Sequence, residues 1–130
     1  MRPFPWTYLC FGAFGVVFAS PASAVTCQFG TTWTMHHDNG AIATMSVVQD
    51  TRNSTLDATD IKEGQNTGKM QSSTYKGKRV VFTIKWSNGH AGRYDGKVGL
   101  DGRITGTNYD TTANPAPTQH WHTDEKFSCQ

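Results

Sequence analysis

Apolar and polar residues alternate along this chain with a period of two, most cleanly between Val80 and Leu100. Phe82, Ile84 and Trp86 share one face while Val81, Thr83 and Lys85 share the other; next, Tyr94, Gly96, Val98 and Leu100 oppose Arg93, Asp95 and Lys97. That period belongs to a half-buried β-strand, apolar inside and polar outside. No window sustains a 3.6-residue apolar period, and turn signals recur every 8–12 residues or so, the spacing of all-β domains. Asn39-Gly40, Asn88-Gly89 and Asp101-Gly102 supply the positive φ angles that tight hairpins need. Seven such turns separate eight strands, predicted at 28–36, 40–49, 54–62, 67–75, 78–87, 91–100, 103–110 and 118–129; those at 54–62 and 67–75 are polar and weakly patterned.

Eight consecutive strands with short connections predict an all-β, antiparallel, up-and-down meander. Left open, it would bare two edges; closed into an eight-stranded barrel it has none. A two-sheet β-sandwich is the alternative.

Residues 1–24 stand apart from this pattern. Arg2 precedes an apolar run from Tyr8 to Phe18, and Ala22-Ser23-Ala24 places small residues where a signal peptidase reads. The run is shorter than the ~20 apolar residues that span a bilayer. We therefore expect export with cleavage before Val25, leaving 25–130 as a single domain, secreted to the outside or to the periplasm. Cys10 departs with the leader, leaving Cys27 and Cys129, an even pair that an oxidising compartment would join. In a closed antiparallel barrel the start of the first strand lies beside the end of the eighth, where these two cysteines fall. Extending their pairing inward sets Phe29 against Phe127, Trp33 against Thr123 and Met35 against Trp121 on the apolar face, with His36 opposite His120 on the polar one.

The stretch GTTWTMHHDNGAIATMSV, a glycine-bearing first strand with an inward tryptophan, followed by a meander with inward aromatics, resembles the avidin and lipocalin group of small barrels, the calycins. The resemblance implies an eight-stranded barrel in which Trp33 packs the floor; the spacing here is Gly-x-x-Trp, against the group's usual Gly-x-Trp. A ligand in the open end is expected to meet Trp33, Met35, Trp86, Tyr94 and Trp121, with Trp86 and Trp121 nearest the mouth. Phe82 and Phe127 complete the inward set, which is large enough to fill a barrel of this size.

Removing Arg2 leaves eleven basic against ten acidic side chains, and this near-neutral balance argues against nucleic acid or an anionic membrane as the main partner after signal cleavage, so neither is expected. Lys76, Lys78 and Arg79, the one basic cluster, read as a solvated strand end. Nothing resembles a nucleophile elbow or a Cys–His pair, and Asp57, Asp60, Asp95 and Glu125 form no readable acid–base pair, so no enzymatic activity and no cofactor are expected. His36, His120 and His122 carry zinc or copper ligand types, but a solvated polar face outweighs a metal site. The expected partner is a small, partly apolar molecule or another protein. For the second, Ser87 to Tyr94 (SNGHAGRY) faintly resembles the Ser-Gly-x-x-Tyr loop of the membrane-bound lysozyme inhibitors, and an inhibitor would need that loop to protrude.

Overall fold

The computed structural model describes residues 24–130; the expected leader lies, save for Ala24, outside them. Ten strands follow in order: β1 (Cys27–Gln28), β2 (Thr32–His37), β3 (Ile42–Asp50), β4 (Thr55–Glu63), β5 (Asn66–Lys76), β6 (Arg79–Trp86), β7 (Ala91–Val98), β8 (Ile104–Asp110), β9 (Gln119–Thr123) and β10 (Ser128–Cys129). Strands β2 to β9 pair in sequence, all antiparallel, and β9 pairs back onto β2, so the sheet closes into an eight-stranded barrel. The all-β barrel read from the sequence is therefore the architecture, and the sandwich alternative falls away. Among the described residues no helix is long and apolar enough to cross a membrane.

The first and last predicted strands each break in two. β1 and β10 form a separate two-stranded ribbon in which Cys27 faces Cys129, as the sequence predicts, and the two are joined by a disulfide. This bond fits an oxidising compartment. Within the barrel, however, Met35 faces Thr123, His36 faces His122 and His37 faces Trp121. Six residues separate Gln28 from Met35 while only four separate Ser128 from Thr123, so the register slips by two between ribbon and barrel. A slip of two preserves which face each residue shows, whereas a slip of one would have turned the core outward. The predicted faces survive while the predicted partners change, Trp33–Thr123, Met35–Trp121 and His36–His120 among them.

Side chains satisfy the backbone where the strands part. The Glu125 carboxylate accepts the Thr34 amide at 2.5 Å and its hydroxyl at 2.9 Å, and Gln49 accepts the Phe29 amide at 2.8 Å while donating to the Cys27 carbonyl at 2.9 Å. Buried polar backbone left unpaired would be costly, and these bonds remove that cost.

Bulges explain the weak pattern of the third and fourth predicted strands. In β4, Leu56 and Ala58 turn inward, then an extra residue at Asp60, whose φ is 53°, hands the inward face to Ile61 and Glu63. In β5 the register shifts between Met70 and Ser72, moving the inward set from even to odd positions, Ser73 and Tyr75. β7 ends at Val98, and Leu100, expected inside, is fully exposed in the following turn.

The end of the barrel nearest the disulfide is packed solid. Phe29, Trp33, Tyr75 and Phe127 meet there with ring centroids 5.0–6.1 Å apart, and the Trp33 indole donates to the Phe29 carbonyl at 2.8 Å. Midway up, Trp121 lies against Phe82 and Tyr94 and donates to the Thr107 carbonyl at 3.0 Å. Gly96 makes its space, since a Cβ there would meet the Trp121 ring at 2.6 Å; Gly106 instead lets β8 lie close on β7, since a Cβ there would collide with the Asp95 carbonyl oxygen.

Two measurements check this account. Gly106→Ala must push backbone from backbone and is expected to cost roughly 3 kcal/mol or more in chemical denaturation, while Gly30→Ala, whose Cβ would make only ordinary 3.7 Å contacts, stays within about 1 kcal/mol. Replacing Cys27 and Cys129 together by serine opens a loop spanning 102 residues and is expected to cost about 2–5 kcal/mol with unchanged far-ultraviolet circular dichroism, because the β2–β9 ladder closes the barrel independently.

Candidate functional site

The end opposite the disulfide is open. β2, β4, β6 and β8 finish there and β3, β5, β7 and β9 begin there, so the connections 38–41, 64–65, 87–90 and 111–118 form its rim. Between them lies a solvent-open cavity of about 380 Å³, within the range of small-molecule sites. The inward faces of six strands supply His37, Glu63, Asn66, Trp86, Tyr94 and Asn108 to its wall and floor.

Tyr94 marks the boundary between packed core and cavity. It is 2% exposed, its ring stacks on Phe82 at 5.0 Å, and its hydroxyl lies 3.0 Å from His37 Nε2. The other ring nitrogen, His37 Nδ1, lies 3.1 Å from the Ala41 carbonyl oxygen, which can only accept, so Nδ1 carries the proton. In the neutral ring Nε2 is then the acceptor and the tyrosine hydroxyl the donor. Burial pushes the Tyr94 hydroxyl well above the ordinary tyrosine range, the charge of Glu63 raises it further, and hydrogen bonding from Trp86 offsets part of this. The phenol is therefore neutral at physiological pH.

Asn108 is 8% exposed, and its Oδ1 is buried without a hydrogen-bond partner among the described residues. Nearly all buried side-chain oxygens are paired, and leaving one unpaired costs about 1–3 kcal/mol. Glu63 engages in no ion pair among the described residues. The mouth thus presents hydrogen-bond acceptors, Asn108 Oδ1 and the Glu63 carboxylate, above an aromatic floor and beside the half-buried Trp86.

Of the five residues expected to meet a ligand, Trp86 and Tyr94 line this cavity; Trp33, Met35 and Trp121 do not. These three are buried in the core, and the two tryptophan N–H groups are spent on backbone carbonyls. The seam slip places Trp121 opposite His37 instead of Met35, one step nearer the open end, yet its ring is buried because it packs against Phe82 and Tyr94 and bonds to the Thr107 carbonyl. Sequence reasoning passed over His37 and Asn108, although parity with Trp33 and Met35, and with Ile104, already turned them inward; Glu63 and Asn66 were hidden by the β4 bulge and the turn that follows it.

The remaining candidates lie elsewhere. Asp95 is held on the outer wall by Arg79, whose guanidinium makes contacts of 2.6 and 3.0 Å and keeps that carboxyl below the usual range. Glu125 serves the seam. Ser87 to Tyr94 forms no protruding loop: residues 87–89 make a tight turn closed by the Trp86 amide on the His90 carbonyl at 2.8 Å and the Gly89 amide on the Trp86 carbonyl at 3.1 Å. On the outside of the seam, His36, His122 and Asp124 cluster, with His122 in the place predicted for His120.

No family model matches the chain, and no curated protein or solved structure shows significant similarity to it.

The raised Tyr94 hydroxyl has a measurable consequence. An unfolded chain loses that proton near pH 10, before the folded one does, so this contribution to stability is complete below pH 10 and falls as pH rises beyond it toward the folded value. Alkaline denaturation curves of Tyr94→Phe are expected to lack this component, whereas Tyr109→Phe, at an exposed site, retains it.

Proposed function

We propose that the chain is an exported binding protein of calycin-like build that holds one small, partly apolar molecule in the open end of its barrel, without carrying out chemistry on it. The observation that carries this reading is the unpartnered Asn108 oxygen in the wall of a 380 Å³ cavity. A ligand bearing an N–H or O–H donor would pair that oxygen, place a flat apolar portion beside Trp86 and over Tyr94, and tolerate positive charge near Glu63. Export is supported by the leader pattern of residues 1–24 together with the disulfide. The inhibitor reading is less favoured because the tight 87–89 turn supplies no loop to enter a cleft.

The reading sets stability against affinity at one residue. Asn108→Leu removes a buried unsatisfied oxygen, so the free protein is expected to be as stable as wild type or up to about 1 kcal/mol more stable. Compounds found by thermal shift and tryptophan quenching should bind that variant about ten-fold or more weakly, and Trp86→Phe should abolish most of the quenching. If no compound of a broad small-molecule collection shifts the protein, or if compounds that do bind Asn108→Leu equally well, the mouth is not the site.

A further inference from the structure

We propose that the outer face of the seam is a binding site for a divalent transition-metal ion, held by His36, His122 and Asp124. The placement follows from the strand pairing. His36 on β2 and His122 on β9 face each other directly across the ladder, and Asp124 follows His122 by two residues on the same exterior side. The Asp124 amide donates to the Thr34 carbonyl at 3.0 Å, which carries the pairing one step past β9 and holds that carboxylate beside the imidazoles. The two imidazole rings lie parallel, 9° apart with centroids at 5.0 Å, and His36 Nε2 is 2.8 Å from Asp124 Oδ2.

One ligand atom from each of the three lies within 4.8 Å of the others. Around a tetrahedral zinc ion, with bonds of about 2.0–2.2 Å, neighbouring ligand atoms sit roughly 3.3 Å apart. Rotation of exposed side chains closes that difference without moving backbone, since His36 and Asp124 are 32% and 56% exposed at the side chain. Two imidazoles and one carboxylate leave a fourth position for water. This donor set suits Zn²⁺ and Cu²⁺, the second more tightly by the general order of divalent affinities, and does not suit Ca²⁺ or Mg²⁺, which take oxygen ligands.

The site joins the two strands whose pairing closes the barrel, so an ion bound there ties the seam. Binding to the folded form alone raises the thermal midpoint in proportion to the logarithm of free metal over Kd. The inference is independent of the mouth cavity: strand alternation puts His36 outside and its neighbour His37 inside.

Titration calorimetry of the oxidised protein with ZnCl₂ and CuCl₂ in a non-chelating buffer tests it. One equivalent is expected to bind, with CaCl₂ and MgCl₂ silent. His122→Ala and His36→Ala should each lose at least ten-fold in affinity and Asp124→Asn several-fold, while His120→Ala, on the same face but outside the cluster, matches wild type. Zinc should perturb the imidazole resonances of His36 and His122 in the wild-type protein before any others. This second readout decides the matter if an alanine variant does not fold. Wild-type affinity in His122→Ala, perturbation centred on His37, His90 or His120, or no binding at all would overturn the assignment.

Discussion

Closure of β2 onto β9 governs the rest of the molecule. A meander of eight short strands that did not meet would carry two rows of unpaired amides and carbonyls, and its inner face would be one side of an open sheet. Once the seam forms, Trp33, Met35 and Trp121 are buried together, and the same geometry that shuts one end leaves the other open. The register of that seam is not inherited from the disulfide. The ribbon of β1 and β10 and the barrel ladder differ by two residues, and the difference is absorbed in residues 29–34 and 124–127, where Glu125 and Gln49 stand in for backbone partners. Two polar side chains therefore let an independent covalent staple and an independent hydrogen-bonded seam coexist.

Along the barrel axis the interior changes from apolar to polar, and the change has a physical order. At the floor, the rings of Phe29, Phe127 and Trp33 pack on one another, with the Trp33 N–H satisfied by the Phe29 carbonyl. At mid-height Trp121 packs on Phe82 and fits because Gly96 beside it carries no side chain. Above these, Tyr94 turns its ring down onto Phe82 and its oxygen up to His37, one side chain serving both halves. The buried oxygen of Asn108 breaks the sequence of satisfied groups. Thr123, fully buried, pairs with both the Ile104 amide and the Glu125 carbonyl, so the contrast at Asn108, beside the open cavity, is local to the mouth.

The barrel and its seam were legible in the sequence because two simple constraints agree: alternation fixes which residues face inward, and paired terminal cysteines fix which strands meet. Parity alone placed Phe82, Ile84, Tyr94, Gly96 and Val98 correctly. What alternation cannot convey is an extra residue. The bulge at Asp60 and the shift between Met70 and Ser72 exchange inner and outer positions partway along β4 and β5, which is why those segments look unpatterned while forming nine- and eleven-residue strands. The seam was predicted two residues out of register for a related reason: opposing residues were extrapolated from the cysteines through a region where the two chains have unequal length. At the open end, parity carried Trp86 and Tyr94 into the cavity wall, while Trp33 and Trp121 are buried with their N–H groups bonded to backbone; His37 and Asn108, inward by the same parity, are polar and so carry no signal in a pattern of aromatics.

A single-layered wall also separates what its two faces do. His36 and His37 are consecutive, yet one lies on the exterior of the seam beside His122 and Asp124 and the other reaches across the mouth to Tyr94. No side chain belongs to both groups, so a change at His122 removes a donor from the outside and leaves the hydrogen-bonded pair inside in place. Their one shared element is β2, which is paired on both sides, to β3 through five residues and to β9 through three. The shorter of β2's two ladders is the one that closes the sheet, and the exterior cluster spans it. A bond across it would add to closure where β2 is held by fewer residue pairs, and would act on the interior only through β2 and β9 themselves.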